Sequence, residues 1–360
     1  MNCFNPKILE CHLTLGGKYC QIIGAIQTNY YLWRMNVYIL YTENHRLLSL
    51  AAIVDVFDTV NAYLSEDGHT LTFDLHLIGI NEGLQTPFKH LPYSTFEQSE
   101  IEEGIIIVPA FRDHNIQDHL QKNAVFIPWL IKAYQNGIRV ASCCTGTFLL
   151  AAAGILNGKK ATTHVEACDA LQSIFPEVEL LPHAIFTVEH HLYTSGGATS
   201  TFHMLIFLIQ ELTSKEYGIR LAKNFAIDLD RQTQLHFEKF TPSLSKDDKL
   251  VRQVQETIHQ RYSELKHVEE ALDQIPSSRR NMVRRFKNAT GMTPIRYMQK
   301  IKIEAAKHLL ETTDRDILDI MLSSGYQDLK SFRELFKNLT GLTPKAYREK
   351  YFLSSPASML

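Results

Sequence analysis

Arg280, Arg284 and Lys287 fall on one side of a helical period whose other side carries Met282 and Phe286. Lys330, Arg333 and Lys337 are set in the same way around Phe332 and Phe336. Arginine forks match guanine edges and the remaining cations can neutralise phosphates, so two such ridges suit duplex DNA. A different chemistry is available at Cys144. There the apolar run 138–143 stops and a helical pattern begins, with Gly146 two residues on. This is the layout of a nucleophile elbow, with Ser142 in place of the first glycine. A thiol at a helix N-terminus is expected to have a lowered pKa and to be reactive.

The cationic ridges need helices to carry them, and the sequence writes those helices twice. FKNATGMTPIRYMQK starts at Phe286 and FKNLTGLTPKAYREK at Phe336, with nine of fifteen positions identical. Gly291 and Gly341 suit the left-handed position that ends a helix. Thr293 and Thr343 can cap the next helix, with Pro294 and Pro344 in its first position. Upstream, Ser278 and Asp328 open the basic helices after the breaks Ile275-Pro276-Ser277 and Ser324-Gly325-Tyr326-Gln327. Two helices joined by a tight turn make a helix-turn-helix, and this pattern occurs twice. Between the copies a helix is expected over 294–310, with Ile295, Met298, Ile301, Ala305 and Leu309 facing the core. At about 1.5 Å per residue it spans roughly 25 Å, long enough to hold two recognition helices near the 34 Å repeat of B-DNA.

Residues 249–351, with IKIEAAKHLLE, SGYQDLKSFRELFK and GLTPKAYR, resemble the DNA-binding domain of the AraC/XylS family. The resemblance implies sequence-specific binding through both units. It places Arg280, Val283 and Arg284 of the first, and Lys330, Ser331, Arg333 and Glu334 of the second, at base edges. Arg279, Asn281, Lys287 and Lys337 complete the expected DNA-binding set. Met321 departs from the family's usual small alanine, so local repacking is expected there.

Charge divides the chain in the same place. From Ser245 onward there are 21 Lys plus Arg against 15 Asp plus Glu, while the whole chain has 37 against 39. A basic C-terminal part therefore follows an acidic remainder, and the basic part suits a polyanion. No run of eighteen apolar residues occurs, so no membrane span is expected. Residues 1–34 show no clear period and no secretory cleavage pattern, and are expected to be an extension outside the fold. Cys3, Cys11 and Cys20 lie there. Cys143, Cys144 and Cys168 form neither a metal spacing nor a disulfide framework, which fits a reducing cytoplasm with no metal or cofactor.

Strands are expected at 37–41, 73–79, 104–109, 138–143 and 185–194, and helices at 49–64, 117–136, 145–153 and 199–213. Such alternation predicts an α/β sandwich with a mainly parallel, flavodoxin-like sheet. The elbow, AAAGILNGKKATTH from Ala151, the Thr194-Ser195-Gly196-Gly197 turn and Arg231-Gln232-Thr233-Gln234 resemble the PfpI-type branch of the class I glutamine amidotransferase-like superfamily. More narrowly, the stretch resembles the form of that fold placed ahead of an AraC-type domain in GlxA-type regulators. Relatives with enzyme activity use the elbow cysteine as nucleophile, often followed by histidine. Here Thr145 follows Cys144, Leu48-Ser49-Leu50-Ala51-Ala52 offers no acidic partner, and Phe202 stands where the regulator branch often has Asp. His164 is the nearest base in sequence, with His183, His190 and His191 further off.

The expected division is an α/β sensor domain over 37–235, a linker over 236–248 and the all-α DNA-binding domain with two helix-turn-helix units over 249–351. The expected function is that of a cytoplasmic, sequence-specific transcription regulator. A homodimer is implied by the resemblance. Cys144, Thr145, Gly146, His164 and Ser195 are expected to form an effector pocket for a small molecule, with a nitrogen compound one option. No catalytic residue is assigned. The alternative is a cysteine-elbow hydrolase or hydratase with Cys144 as nucleophile. A third reading, a nonspecific nucleoid protein, predicts binding that ignores sequence and collapses with salt.

Overall fold

The computed structural model describes residues 34–352 apart from 83–85, 100, 102, 113–114, 232, 241–243 and 274. Residues 1–33 of the expected extension, with its three cysteines, and Thr241 to Ser243 of the linker thus lie outside the described residues, whereas Arg34, expected in the extension, opens the first strand and pairs with Thr72.

The N-terminal half alternates strands and helices. In order these are β1 (Arg34–Leu40), α1 (Leu47–Glu66), β2 (Thr72–Gly79), β3 (Tyr93–Thr95) and β4 (Ile105–Val108), then α2 (Ile116–Asn123), α3 (Phe126–Gln135), β5 (Arg139–Ser142) and α4 (Thr147–Ala152). There follow β6 (Lys160–Ala161), α5 (Cys168–Ile174), β7 (Glu179–Leu180), β8 (Phe186–Glu189), β9 (Leu192–Ser195), α6 (Ser200–Leu212) and α7 (Lys215–Asn224). Seven strands form one sheet in the order β3-β2-β1-β4-β5-β9-β8, parallel except where β8 meets β9. Central β4 reads Ile-Ile-Ile-Val with all four residues buried, as expected for a strand covered on both faces. One core packs α1, α6 and α7 on one face, and a second packs α2, α3 and α4 on the other. The order steps from β1 outward in both directions, so a switch point lies between β1 and β4. Open sheets of this kind form their crevices at the carboxyl ends of such strands. Helix α1 is long and apolar enough to cross a membrane by length and composition, but nine of its residues are buried inside this domain.

Two expectations are corrected here, and some short strands are added. The single strand expected over 185–194 is an antiparallel hairpin, turned at His190 with φ 57°. The helix expected over 117–136 breaks at Ala124 and Val125, leaving α2 and α3. Tyr93–Thr95 and the small β6–β7 pair are additional, because strands of two or three residues carry no readable alternation.

The C-terminal half is helical: α8 (Lys249–Arg261), α9 (Glu269–Leu272), α10 (Arg279–Thr290), α11 (Pro294–Thr312), α12 (Ile317–Ser323), α13 (Leu329–Thr340) and α14 (Pro344–Tyr351). The duplicated caps form as the sequence dictates. Ser278 Oγ accepts from Asn281 N at 3.4 Å and Asp328 Oδ1 from Ser331 N at 2.7 Å. Thr293 and Thr343 accept from Arg296 N and Ala346 N at 3.4 and 3.2 Å. Gly291 and Gly341 end their helices with φ of 77° and 76°. Each unit has its own core, around Phe286 and Tyr297 in the first and Phe332 and Phe336 in the second. Met321 is accommodated in the second core, 1% exposed.

The core side of α11 agrees only in part with the expected one: Met298 is buried and Ile301 and Leu309 are half-buried against the two cores, but other residues carry most of the burial. Ile295 is 51% exposed, while Tyr297, Met298, Lys300, Lys302, Ile303, Ala306, Lys307 and Leu310 are buried. A hydrophobic period cannot see this, because three lysines bury their stems and satisfy their ammonium groups on carbonyls and carboxylates.

Candidate functional site

The two recognition helices, α10 and α13, follow short breaks that let them project from their cores. On α10, Arg280, Arg284 and Lys287 are exposed while Met282 and Phe286 are buried. Arg284 Nη2 donates to Asn281 Oδ1 at 3.1 Å, which holds the guanidinium along the helix surface. Asn281 and Val283 are half-buried, and Arg279 is ion-paired with Glu269 of α9. Arg285 points the other way. Its two nitrogens each lie 2.8 Å from an oxygen of Asp248, the N-cap of α8, and the pair ties the recognition helix to its support. On α13, Lys330, Ser331, Arg333, Glu334 and Lys337 are all exposed around buried Phe332 and Phe336. The expected DNA-binding residues thus sit on two outward helix faces, both joined to α11.

The elbow is built where β5 ends. Cys144 has φ 54° and begins a 3-10 turn, Cys144–Gly146, that leads into α4. A non-glycine residue held there is strained backbone, as in an elbow. Its backbone N donates to Ser195 Oγ at 3.3 Å, and its carbonyl accepts from Thr163 Oγ1 at 2.9 Å. Thr145 Oγ1 accepts from Phe111 N at 2.9 Å. Gly146 is required by space, since a Cβ there would lie 2.6 Å from the Pro109 carbonyl and 2.8 Å from that of Val108. Both are backbone atoms, so Gly146→Ala is expected to destabilise the α/β domain by roughly 2 kcal/mol or more. Calorimetry of the full chain checks this; a melting transition unchanged from the parent would show that the elbow can shift.

Cys144 and His164 line one small cavity with Arg46, Ser49, Ala110 and Ala198. These residues follow β1, β4, β5 and β9, so the cavity lies at the carboxyl edge near the switch point. Its free volume is about 20 Å³, enough for about one water. The Cys144 thiol is not lowered, contrary to the expectation from its helix N-terminus. Burial raises it, and opposing hydrogen bonds from the backbone at Thr145 and Ala198, with the Arg46 charge, do not outweigh that cost. At 6% exposure the loss of hydration outweighs a single short turn's dipole. Ser49, from the stretch that offers no acidic residue, lines the cavity, and its Oγ accepts from Ala110 N at 3.0 Å. Phe202 lines the cavity and packs its ring tilted against that of Phe225, with centroids 5.3 Å apart. His183, His190 and His191 do not line this cavity.

A structural connection to the DNA-binding half was not foreseen. Gln234 is buried, and its Nε2 lies 2.9 Å from the Thr163 carbonyl and 3.2 Å from Thr162 Oγ1, while its Oε1 accepts from Gly197 N at 3.1 Å. Four residues later, Glu238 Oε1 accepts from Lys300 Nζ at 2.7 Å, and Asp169 of α5 accepts from the same ammonium at 3.2 Å. Lys307 donates to the Glu238 carbonyl. The contacts therefore run from Cys144 through Thr163 and Gln234 to α11.

Comparison with known proteins agrees with this geometry. Residues 273–350 match the helix-turn-helix domain model, and residues 113–211 match the DJ-1/PfpI family. The HTH-type transcriptional regulator CdhR of Pseudomonas aeruginosa is 27% identical over 208 residues, 57% of this chain and 61% of that protein. The HTH-type transcriptional regulator GbdR of Pseudomonas aeruginosa is 24% identical over 294 residues, covering 81% of this chain and 77% of that one. An isonitrile hydratase of Pseudomonas putida is 27% identical over 181 residues, 48% of this chain and 70% of the enzyme. The chain thus joins a region that matches the DJ-1/PfpI family to one that matches the helix-turn-helix domain, and it is similar along much of its length to HTH-type transcription regulators.

Proposed function

We propose that the chain reads a specific duplex sequence with α10 and α13 as a homodimer, and that its α/β domain adjusts that reading in response to a small molecule. The observation that carries the DNA reading is the pair of capped, cation-bearing helices mounted on one continuous helix. Residues 37–235 serve as the sensor, 236–248 as the connection and 249–351 as the reader, in the cytoplasm. Double-stranded DNA is the macromolecular partner. The effector site is the elbow cavity; of the five expected residues Cys144 and His164 line it, whereas Thr145, Gly146 and Ser195 stand behind it, with Ser195 Oγ accepting from Cys144 N. At its present volume, a ligand larger than water requires movement of exposed Arg46 and Leu48. The path through Thr163 and Gln234 supports transmission of such a movement to α11. A ligand shifts the balance only by as much as its affinity differs between the two arrangements.

Selection from random duplexes at about physiological salt tests the reading. A motif with two sub-sites about one helical turn apart supports it, and no enrichment by the folded chain with or without effectors sinks it. The cysteine-elbow enzyme is the second reading, favoured by the strained backbone at Cys144. A buried thiol with a raised pKa, and no carboxylate among the described residues lining its cavity, oppose it. Cys144→Ser is expected to keep operator affinity within about twofold, since the side chain lies outside the DNA-binding faces. Turnover of an isonitrile or similar small nitrogen compound that vanishes in Cys144→Ser would instead establish the enzyme.

A further inference from the structure

A cleft of about 570 Å³ separates the α/β domain from the second helix-turn-helix unit. The α/β side supplies Thr199, His203 and Arg231, the connection supplies His236, and the DNA-binding side supplies Gly341, Leu342 and Lys350. It is a different space from the elbow cavity, and far roomier.

Around Arg231 and His236 the cleft gathers donors that meet only neutral acceptors. Arg231 donates to Thr199 Oγ1 at 2.7 Å, to Ser200 Oγ and, at 3.4 Å, to the Thr233 carbonyl. Those acceptors are all neutral. The Arg231 guanidinium and the Lys350 ammonium lie 4.9 and 5.9 Å from the centroid of the same Phe237 ring. His236 is 4% exposed, yet both ring nitrogens are buried without a hydrogen-bond partner. Tyr351, whose ring centroid is 6.2 Å from that of His236, has a buried hydroxyl without a partner. Leaving such groups unsatisfied is costly, and a ligand with acceptor oxygens would give a partner to the ring N–H of His236 and to the cations beside it. His203 is satisfied differently, with its ring nitrogens 3.0 and 2.9 Å from the Thr199 and Asp228 carbonyls. Asp228 and Asp230 also line the cleft, but both are exposed, and Asp228 Oδ1 accepts from Asp230 N at 3.0 Å.

We infer that this cleft binds a small oxyanion, a carboxylate or a phosphate, between Arg231, His236 and Lys350. Because Arg231 belongs to the α/β side and Lys350 to α14, the bound anion would bridge the two domains and bias the placement of the second recognition helix. The state of His236 fits. Burial first, then the charges of Lys350, Arg231 and Lys307, lower its pKa to about 4. The groups facing it are thus three cations and the neutral Tyr351. An anion among them offsets part of that field, though not the burial, and so draws the His236 pKa upward, so binding near pH 6 should be accompanied by proton uptake.

Titration calorimetry of the full chain with inorganic phosphate, and separately with acetate, tests this at pH 6 and pH 8 in two buffers of different ionisation enthalpy. The expected result is one saturable site per chain for at least one probe, tighter at pH 6 and with proton uptake there. The probe that saturates distinguishes a phosphate from a carboxylate site. Lys350→Met, at an exposed position that should not disturb folding, is expected to weaken binding about tenfold or more, and Arg231→Met likewise. His236→Asn should remove the proton uptake. Arg284→Ala should leave the titration unchanged, which separates this site from cations that would meet DNA. No saturable binding of either probe up to about 20 mM would overturn the inference, as would binding that persists unchanged in Lys350→Met. Operator affinity is read independently, so this site can fail while DNA recognition stands.

Discussion

Arg284→Ala is expected to lower affinity for the selected operator about 10- to 100-fold, the loss of about 1–3 kcal/mol that follows removal of one bidentate base contact. The position is exposed and its side chain bonds only along the helix surface, to Asn281, so the fold should survive. Arg280→Ala should act in the same way, and the double variant more strongly. Lys287→Ala and Lys337→Ala are expected to differ in kind. Each should weaken all duplexes alike and reduce the slope of log affinity against log salt by about one, as loss of a phosphate contact does. Fluorescence anisotropy on the operator and on a scrambled duplex, across a salt series, checks the distinction. If Arg284→Ala weakens both duplexes equally, α10 holds phosphates rather than reading bases. The paired units would then be placed differently on the groove.

What was legible in the chain follows from whether the signal is local. The caps at Ser278, Asp328, Thr293 and Thr343 and the left-handed glycines were readable because each depends on a residue and its next few neighbours. The sheet's long strands were readable from their apolar runs, as was the elbow from an abrupt change of period at Cys144. The thiol's pKa was not, because burial against β1, β4 and β9 neighbours is a tertiary property that outweighs the local helix N-terminus. The buried side of α11 was hidden for a related reason. Lysine reads as a solvent residue, and nothing nearby announces that Lys300 meets Glu238, 62 positions away, and Asp169, 131 away. Gln234 was singled out in a four-residue resemblance, but its role as the tie between Thr163 and Gly197 emerged only from the fold.

Besides the continuous helix α11, one close backbone approach joins the two helix-turn-helix units, and the second large effect is expected there. Gly325, in the turn before α13, has φ 79°, and a Cβ on it would lie 2.6 Å from the Tyr262 carbonyl and 2.9 Å from Ser263 Cα and O. These are backbone atoms at the end of α8, in the first unit, so they cannot move aside without moving that unit. The Gly325 carbonyl in turn accepts from Lys302 Nζ at 2.9 Å, and the same ammonium donates to the Leu265 carbonyl at 2.7 Å. Lys302 is 3% exposed, and burial lowers its pKa against a smaller opposing effect of Glu270. One buried cation thus caps carbonyls from both units, and glycine is what allows them to approach. Gly325→Ala is expected to cost about 1–2 kcal/mol for the left-handed backbone plus a steric cost of similar size. Gly291→Ala is the internal control. Its φ is 77°, but nothing lies within 4 Å of the added Cβ, so only the conformational cost remains. Lys302→Met, which keeps the stem and leaves two buried carbonyls unpaired, should cost roughly 2–4 kcal/mol. Denaturant unfolding checks the ranking, with Gly325→Ala and Lys302→Met below Gly291→Ala. Equal stability of Gly325→Ala and Gly291→Ala would show that the two units are free to separate. Binding to duplexes in which the sub-site spacing is varied then reads the functional consequence. The parent should require one spacing, whereas Gly325→Ala, with the units displaced, should lose affinity at that spacing and discriminate less among the others.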